Sequence, residues 1–154
     1  MNNLKEYIRI LLENNKQYFY HTSNQFLPIG TILTSRKKEY ENEWGQNKFY
    51  TVLETYRPKN FLAHKDAVFM FKNIEEADMF GGKFIFKVLP EGKIEKHDIN
   101  WGSEISSLID QSYEIKDKKI RELALNYWLG VPSPNEQLWE YLAIKAKIVD
   151  VEEF

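Results

Sequence analysis

Short aromatic and β-branched runs, each closed by proline, glycine or asparagine, recur along this chain and constrain its fold more than any other feature. Gln17 to Ser23 is the first, a strand ending in polar groups, and Thr31-Ile32-Leu33-Thr34, following Pro28 and Gly30, is a short second one. Ala67 to Phe71 and Lys83 to Leu89 read the same way. Pro90-Glu91-Gly92-Lys93 is a turn signal that predicts a hairpin into Ile94 to Asp98. Trp139 to Ala143 and Lys145 to Val151 predict a closing strand or strand pair.

Helical spacing fills the gaps. Leu4, Tyr7, Ile8, Leu11 and Leu12 place the apolar groups of residues 3 to 14 on one face, a docking helix. Residues 36 to 48 are charged enough for a solvated loop or a surface helix, and Phe49 to Tyr56 is either a helix end or a strand, broken before Pro58. Asn73 caps a short helix, Ile74 to Phe80, with Glu75 and Glu76 in its first turn and Gly81-Gly82 at its end. Ser103 to Ser112 and Ile115 to Leu129 are helical, the second carrying Ile120, Leu123, Ala124, Tyr127 and Trp128 on one face. Strands outnumber the crossover helices that a doubly wound parallel sheet needs, so the expected class is α+β, one domain over residues 1–154.

Composition removes several chemistries. No cysteine is present, which excludes a disulfide framework, a Cys-based zinc site and a thiol nucleophile. A net charge of −2 supplies no bulk attraction for nucleic acid, although a local basic strip can still grip phosphates. No apolar run reaches membrane-span length and no signal-peptide pattern opens the chain, so a cytoplasmic, membrane-free protein is expected. A membrane-surface reading of the first helix is weakened by Glu6 and Glu13, which balance Lys5 and Arg9. Neither GxGxxG nor GxxxxGK[ST] occurs, so Rossmann and P-loop modes of nucleotide binding lack support.

Each of the three histidines, His21, His64 and His97, can be weighed. His21 ends an apolar strand and precedes Thr22 and Ser23, where a neutral imidazole can bond a ligand hydroxyl; a satisfied structural histidine is the alternative. Lys96-His97-Asp98-Ile99-Asn100-Trp101 invites a metal or triad reading, but sequential neighbours rarely face each other and no Gly-x-Ser-x-Gly accompanies them. A turn with Trp101 packed over it is the expectation there, and no metal site is predicted.

Tyr18-Phe19-Tyr20-His21-Thr22-Ser23 followed by Leu27-Pro28-Ile29-Gly30-Thr31-Ile32-Leu33 resembles the opening of the ADP-ribosyltransferase superfamily in its diphtheria-toxin-like branch, with its small rifamycin-modifying, toxin and phage members. Val68-Phe69-Met70-Phe71-Lys72-Asn73-Ile74-Glu75-Glu76-Ala77 and Phe84 to Val88 are similar to that family's second element, and Trp139-Glu140-Tyr141-Leu142 to its third, so the resemblance spans residues 18 to 151. It implies a split β-sheet core with an N-terminal amphipathic helix and two helices before the final strands. It further implies NAD as substrate: His21 on the ribose, Thr22 and Ser23 beside it, Phe69 or Phe71 stacked on nicotinamide where the family has tyrosine, and Glu140 as the catalytic carboxylate.

Glu136, in a proline-bounded loop, is the rival acid, and Arg57 is placed to clamp the pyrophosphate, a surface arginine being the alternative. Leu138, two positions before Glu140, stands where arginine-modifying transferases carry an acid or glutamine, leaving nucleic acid, another protein side chain or a small molecule as acceptor. The implied activity is mono-ADP-ribosyl transfer, with an inhibitor or antitoxin protein as partner. An inactive binding or inhibitor module on the same fold, or an NAD glycohydrolase, are the alternatives.

Overall fold

A computed structural model describes residues 3–8, 16–35 and 48–152, and shows a mixed α+β architecture. The strands are β1 (Phe19–Ser23), β2 (Ile32–Leu33), β3 (Val68–Met70), β4 (Phe84–Glu91), β5 (Glu95–Asp98), β6 (Trp139–Ala143) and β7 (Lys145–Glu152). The helices labelled here are α1 (Lys48–Thr55), α2 (Ile74–Asp78), α3 (Trp101–Asp110) and α4 (Lys118–Trp128), with a 3-10 turn at His64–Asp66.

Among the described residues the strands form two antiparallel sheets, one in the order β1-β4-β7-β2 and the other β3-β6-β5. A single antiparallel bridge joins them, with Tyr20 N donating to Phe71 O at 2.7 Å and Phe71 N returning to Tyr20 O at 2.8 Å. Among the described residues no other strand pairing links the two sheets. Alternation then does the packing: Phe19, Val68, Met70, Phe86, Val88, Tyr141, Ala143, Ala146 and Ile148 fill one core, with the Phe19 and Tyr141 rings 4.7 Å apart. A second core holds Val52 and Leu53 of α1, Trp101 and Ile105 of α3, and Ile120, Leu123, Ala124, Tyr127 and Trp128 of α4. Burying each large apolar side chain of this kind contributes about 1.5–3 kcal/mol.

The chain leaves one sheet for the other at two places where the sequence predicts local pairing. The hairpin expected at Pro90–Lys93 is absent: β4 continues through Pro90 and Glu91, pairing with Ala146 and Lys145 of β7, while β5 pairs with β6 in the other sheet. The physical reason is that β4 already has β1 on one side and β7 on the other, so Gly92, at φ 79°, redirects the chain instead. Pro90 lies past the last β1 pair, Phe19↔Val88, where a missing N–H is tolerated. Similarly β6 and β7 are adjacent in sequence but not paired; exposed Ile144 between them carries the change of sheet.

Other expectations settle plainly. Residues 48 to 55 are helix, and Asn73 caps α2 by accepting from Glu76 N at 2.9 Å. Trp101 opens α3 and donates Nε1–H to Val131 O at 2.7 Å, so it packs over the loop after α4. Residues 3–8 are helical as the periodicity predicts, yet Leu4, Tyr7 and Ile8 are exposed at 64%, 60% and 47%. Docking by those three side chains is therefore corrected: an apolar stripe specifies a helix face, not the surface that covers it. Leu11, Leu12, the charged segment 36–47 and Glu13 lie outside the described residues.

Candidate functional site

β3 occupies the centre of the candidate site because it borders β6 on one side and meets the end of β1 on the other. His21 lies one residue past the inter-sheet bridge, and its Nδ1 is 2.8 Å from Phe69 O. A carbonyl only accepts, so Nδ1 carries the proton. His21 is 8% exposed, and Ser23, buried at the end of β1, accepts Gln25 N at 3.0 Å. Gly82 closes over this strand end: a Cβ there would stand 2.7 Å from Thr22 Cβ and 2.8 Å from Ser23 N. Only glycine permits that approach without movement.

Glu140 sits on β6 facing the helical layer. Its strand neighbours Trp139 and Tyr141 face the other way, Tyr141 onto Phe19 in the inter-sheet core. It is 1% exposed, accepts a hydrogen bond from Tyr127 Oη of α4, and stands directly across from His97 in the β5–β6 register. Burial pushes its carboxyl up to about 7, the Tyr127 hydroxyl opposing that rise. The Tyr127 phenol is itself raised, by burial first and then by the Glu140 charge.

His64, which sequence reasoning left without a role, connects the pieces. Its Nε2 lies 2.7 Å from Tyr127 Oη, its ring lies 5.5 Å from that of Phe69, and it stacks on Trp128 at 5.1 Å and 27°. Burial, then the charges of His97 and Arg57, lowers its pKa to about 3, so it is neutral at physiological pH. His97 donates Nδ1–H to Tyr127 O at 2.9 Å, and its Nε2 meets Glu95 Oε1 at 3.1 Å. That second contact needs a proton of its own, shared between imidazole and carboxyl. Burial drives His97 downward while the Glu95 bond resists. Glu95 Oε2 also accepts Leu62 N at 2.8 Å.

The predicted residues are thus brought together only in part. His21 touches β3 through a backbone carbonyl, and Phe69 reaches Glu140 through the His64 ring and the Tyr127 hydroxyl. Phe71 is buried and stacks on Phe80 at 4.4 Å and 20°. Arg57 points inward to its own loop, donating Nε–H to Glu54 Oε2 at 3.0 Å and a guanidinium N–H to Phe61 O at 2.8 Å. Asp98 does not pair with His97. It is buried and accepts the N–H groups of Asn100 (3.0 Å), Ser133 (2.7 Å) and Leu138 (3.0 Å), which fixes the loop containing Glu136. No group of three or more metal-ligating side chains occurs among the described residues, nor a helix long and apolar enough to cross a membrane. No protein-family model matches the chain, and no curated protein matches it.

Proposed function

We propose that this chain binds NAD and transfers its ADP-ribose to an acceptor, with release of nicotinamide. The observation that carries the reading is the bridge Tyr20–Phe71 at which the two sheets meet, with His21 turned onto the edge of β3 one residue later. With its proton on Nδ1, a neutral imidazole keeps Nε2 as its accepting nitrogen; that atom is buried, so in this reading the end of β1 opens for a ribose hydroxyl to reach it. Two antiparallel sheets meeting at one bridge is the arrangement that a split ADP-ribosyltransferase core would take.

In this reading the bond between nicotinamide nitrogen and ribose C1′ breaks and its electron pair leaves with nicotinamide. The cationic sugar is stabilised by the Glu140 carboxylate, which also accepts the proton that the acceptor nucleophile loses on bonding C1′. Thr22 and Ser23 lie beside the ribose and Phe69 or Phe71 faces the nicotinamide, while Arg57 reaches the pyrophosphate only by leaving its bonds to Glu54 and Phe61 O. The acceptor is a nucleic acid, a protein side chain or a small molecule of the cytoplasm, and an inhibitor or antitoxin protein is the natural partner of such an activity.

A second reading, a binding module without turnover, is favoured by one feature: Glu140 is sealed beneath Tyr127 and already hydrogen-bonded. Incubating the protein with labelled NAD and separate protein, RNA and DNA fractions distinguishes the two. Label transferred by the native chain and abolished in Glu140→Gln supports the transferase. NAD binding with neither label transfer nor nicotinamide release supports the binding module. Absence of NAD binding refutes both.

A further inference from the structure

The Tyr127 hydroxyl makes two hydrogen bonds in the buried layer beneath α4, to His64 and to Glu140, and has one proton to place. When Glu140 is ionised that proton must point at the carboxylate. The oxygen then accepts from His64, which requires the Nε2–H form of the imidazole. Other contacts hold both partners still. His97 grips the Tyr127 carbonyl at 2.9 Å and stacks on its ring at 4.7 Å, and His64 is stacked on Trp128 while its backbone N–H reaches Glu54 Oε1 at 3.0 Å.

We infer that Tyr127 is the positioning residue for Glu140: its hydroxyl holds the buried carboxylate in one orientation, and His64, locked as the Nε2–H tautomer, holds the hydroxyl. The inference rests on Glu140 being the carboxylate of the proposed reaction, but its structural content does not depend on NAD. The groups facing the carboxyl are Tyr127 of α4, His97 across the strand pair with Glu95 beside it on β5, His64 of the 3-10 turn and, behind it, Tyr50 of α1, whose ring meets His64 edge-on at 5.5 Å. Arg57 adds a positive charge that acts on His64. Of these, Tyr127 donates to Glu140 directly, through its hydroxyl. Packing alone would be preserved by phenylalanine, whereas positioning through the hydroxyl would not.

The test is a carbon-13 titration of the Glu140 carboxyl, assigned by its loss in Glu140→Gln, in native protein and in Tyr127→Phe. The expected result is a midpoint raised by about one to two pH units in the variant, the effect of removing a hydrogen bond to a charged acceptor. Nitrogen-15 spectra should show His64 as the neutral Nε2–H tautomer above the Glu140 midpoint. His64→Gln, which retains a donor, should keep the native midpoint better than His64→Leu, so the idea stays testable should Tyr127→Phe fold poorly. An unmoved midpoint in folded Tyr127→Phe, or an Nδ1–H tautomer at His64 with Glu140 ionised, overturns the inference. Failure of NAD binding would remove the transferase reading and leave these titrations untouched. If transfer is observed, Tyr127→Phe should lower kcat with little change in KM, and the reverse pattern would contradict a role through Glu140.

Discussion

Replacing Glu140 by glutamine removes a buried ionisable group while keeping its shape and an oxygen to accept from Tyr127. In the native fold burial raises that carboxyl from 4.5 to about 7. Between those values the folded chain holds a proton that the unfolded chain has released, so the native state binds more protons and stability falls as pH rises. At 1.36 kcal/mol per pH unit the loss across the window is about 3 kcal/mol, complete once the pH passes the folded value. Glutamine carries no charge at any pH, so the variant lacks this decline. The assay is urea unfolding of both proteins at several pH values from 4.5 to 8, with the difference between them taken at each. Other titrations, such as His64, whose depressed pKa of about 3 acts with opposite sign below 6.5, cancel in that difference. Glu140→Gln should gain on the native chain by about 3 kcal/mol between pH 4.5 and 8. A difference that stays flat would refute a carboxyl whose burial outweighs its hydrogen bond from Tyr127.

Asp98→Ala removes the acceptor of three backbone N–H groups and should destabilise by about 3 kcal/mol, with loss of hydrogen-exchange protection at Ser133 and Leu138; unchanged protection would contradict it. Gly82→Ala forces a methyl against Thr22 and the Ser23 backbone and should cost about 1–3 kcal/mol in denaturant unfolding, more than an alanine at an open position. Trp128→Phe loses the Nε1–H bond to Leu53 O (2.7 Å) as well as packing, and a thermal midpoint within error of the native value would speak against that hydrogen bond.

Much of the fold was legible because its signals are local. Aromatic and β-branched runs identify β1, β4, β6 and β7 within a few residues, and Asn73 announces α2. Pairing was not legible, because it is decided by partners far away in sequence: Pro90-Glu91-Gly92 looks like a hairpin turn until β7 claims the other side of β4. The site divides along the same line. His21 is visible at a strand end, and Glu140 through its resemblance to a late acidic strand. His64 lies in Ala63-His64-Lys65-Asp66, which has no periodicity to flag it, and Tyr127 reads as one more apolar position of α4. A usable signal did exist in β5, where Glu95 and His97 alternate with Lys96 and so place two ionisable groups on one face of a strand.

The proposal that NAD is held where the two sheets meet is tested most directly by calorimetric titration of NAD into the native chain and into His21→Ala. Binding by the native chain, weakened about 5- to 150-fold by the substitution as a ligand hydroxyl loses its acceptor, is the expected result. Equal affinity in the two proteins, or no heat of binding in either, would contradict it.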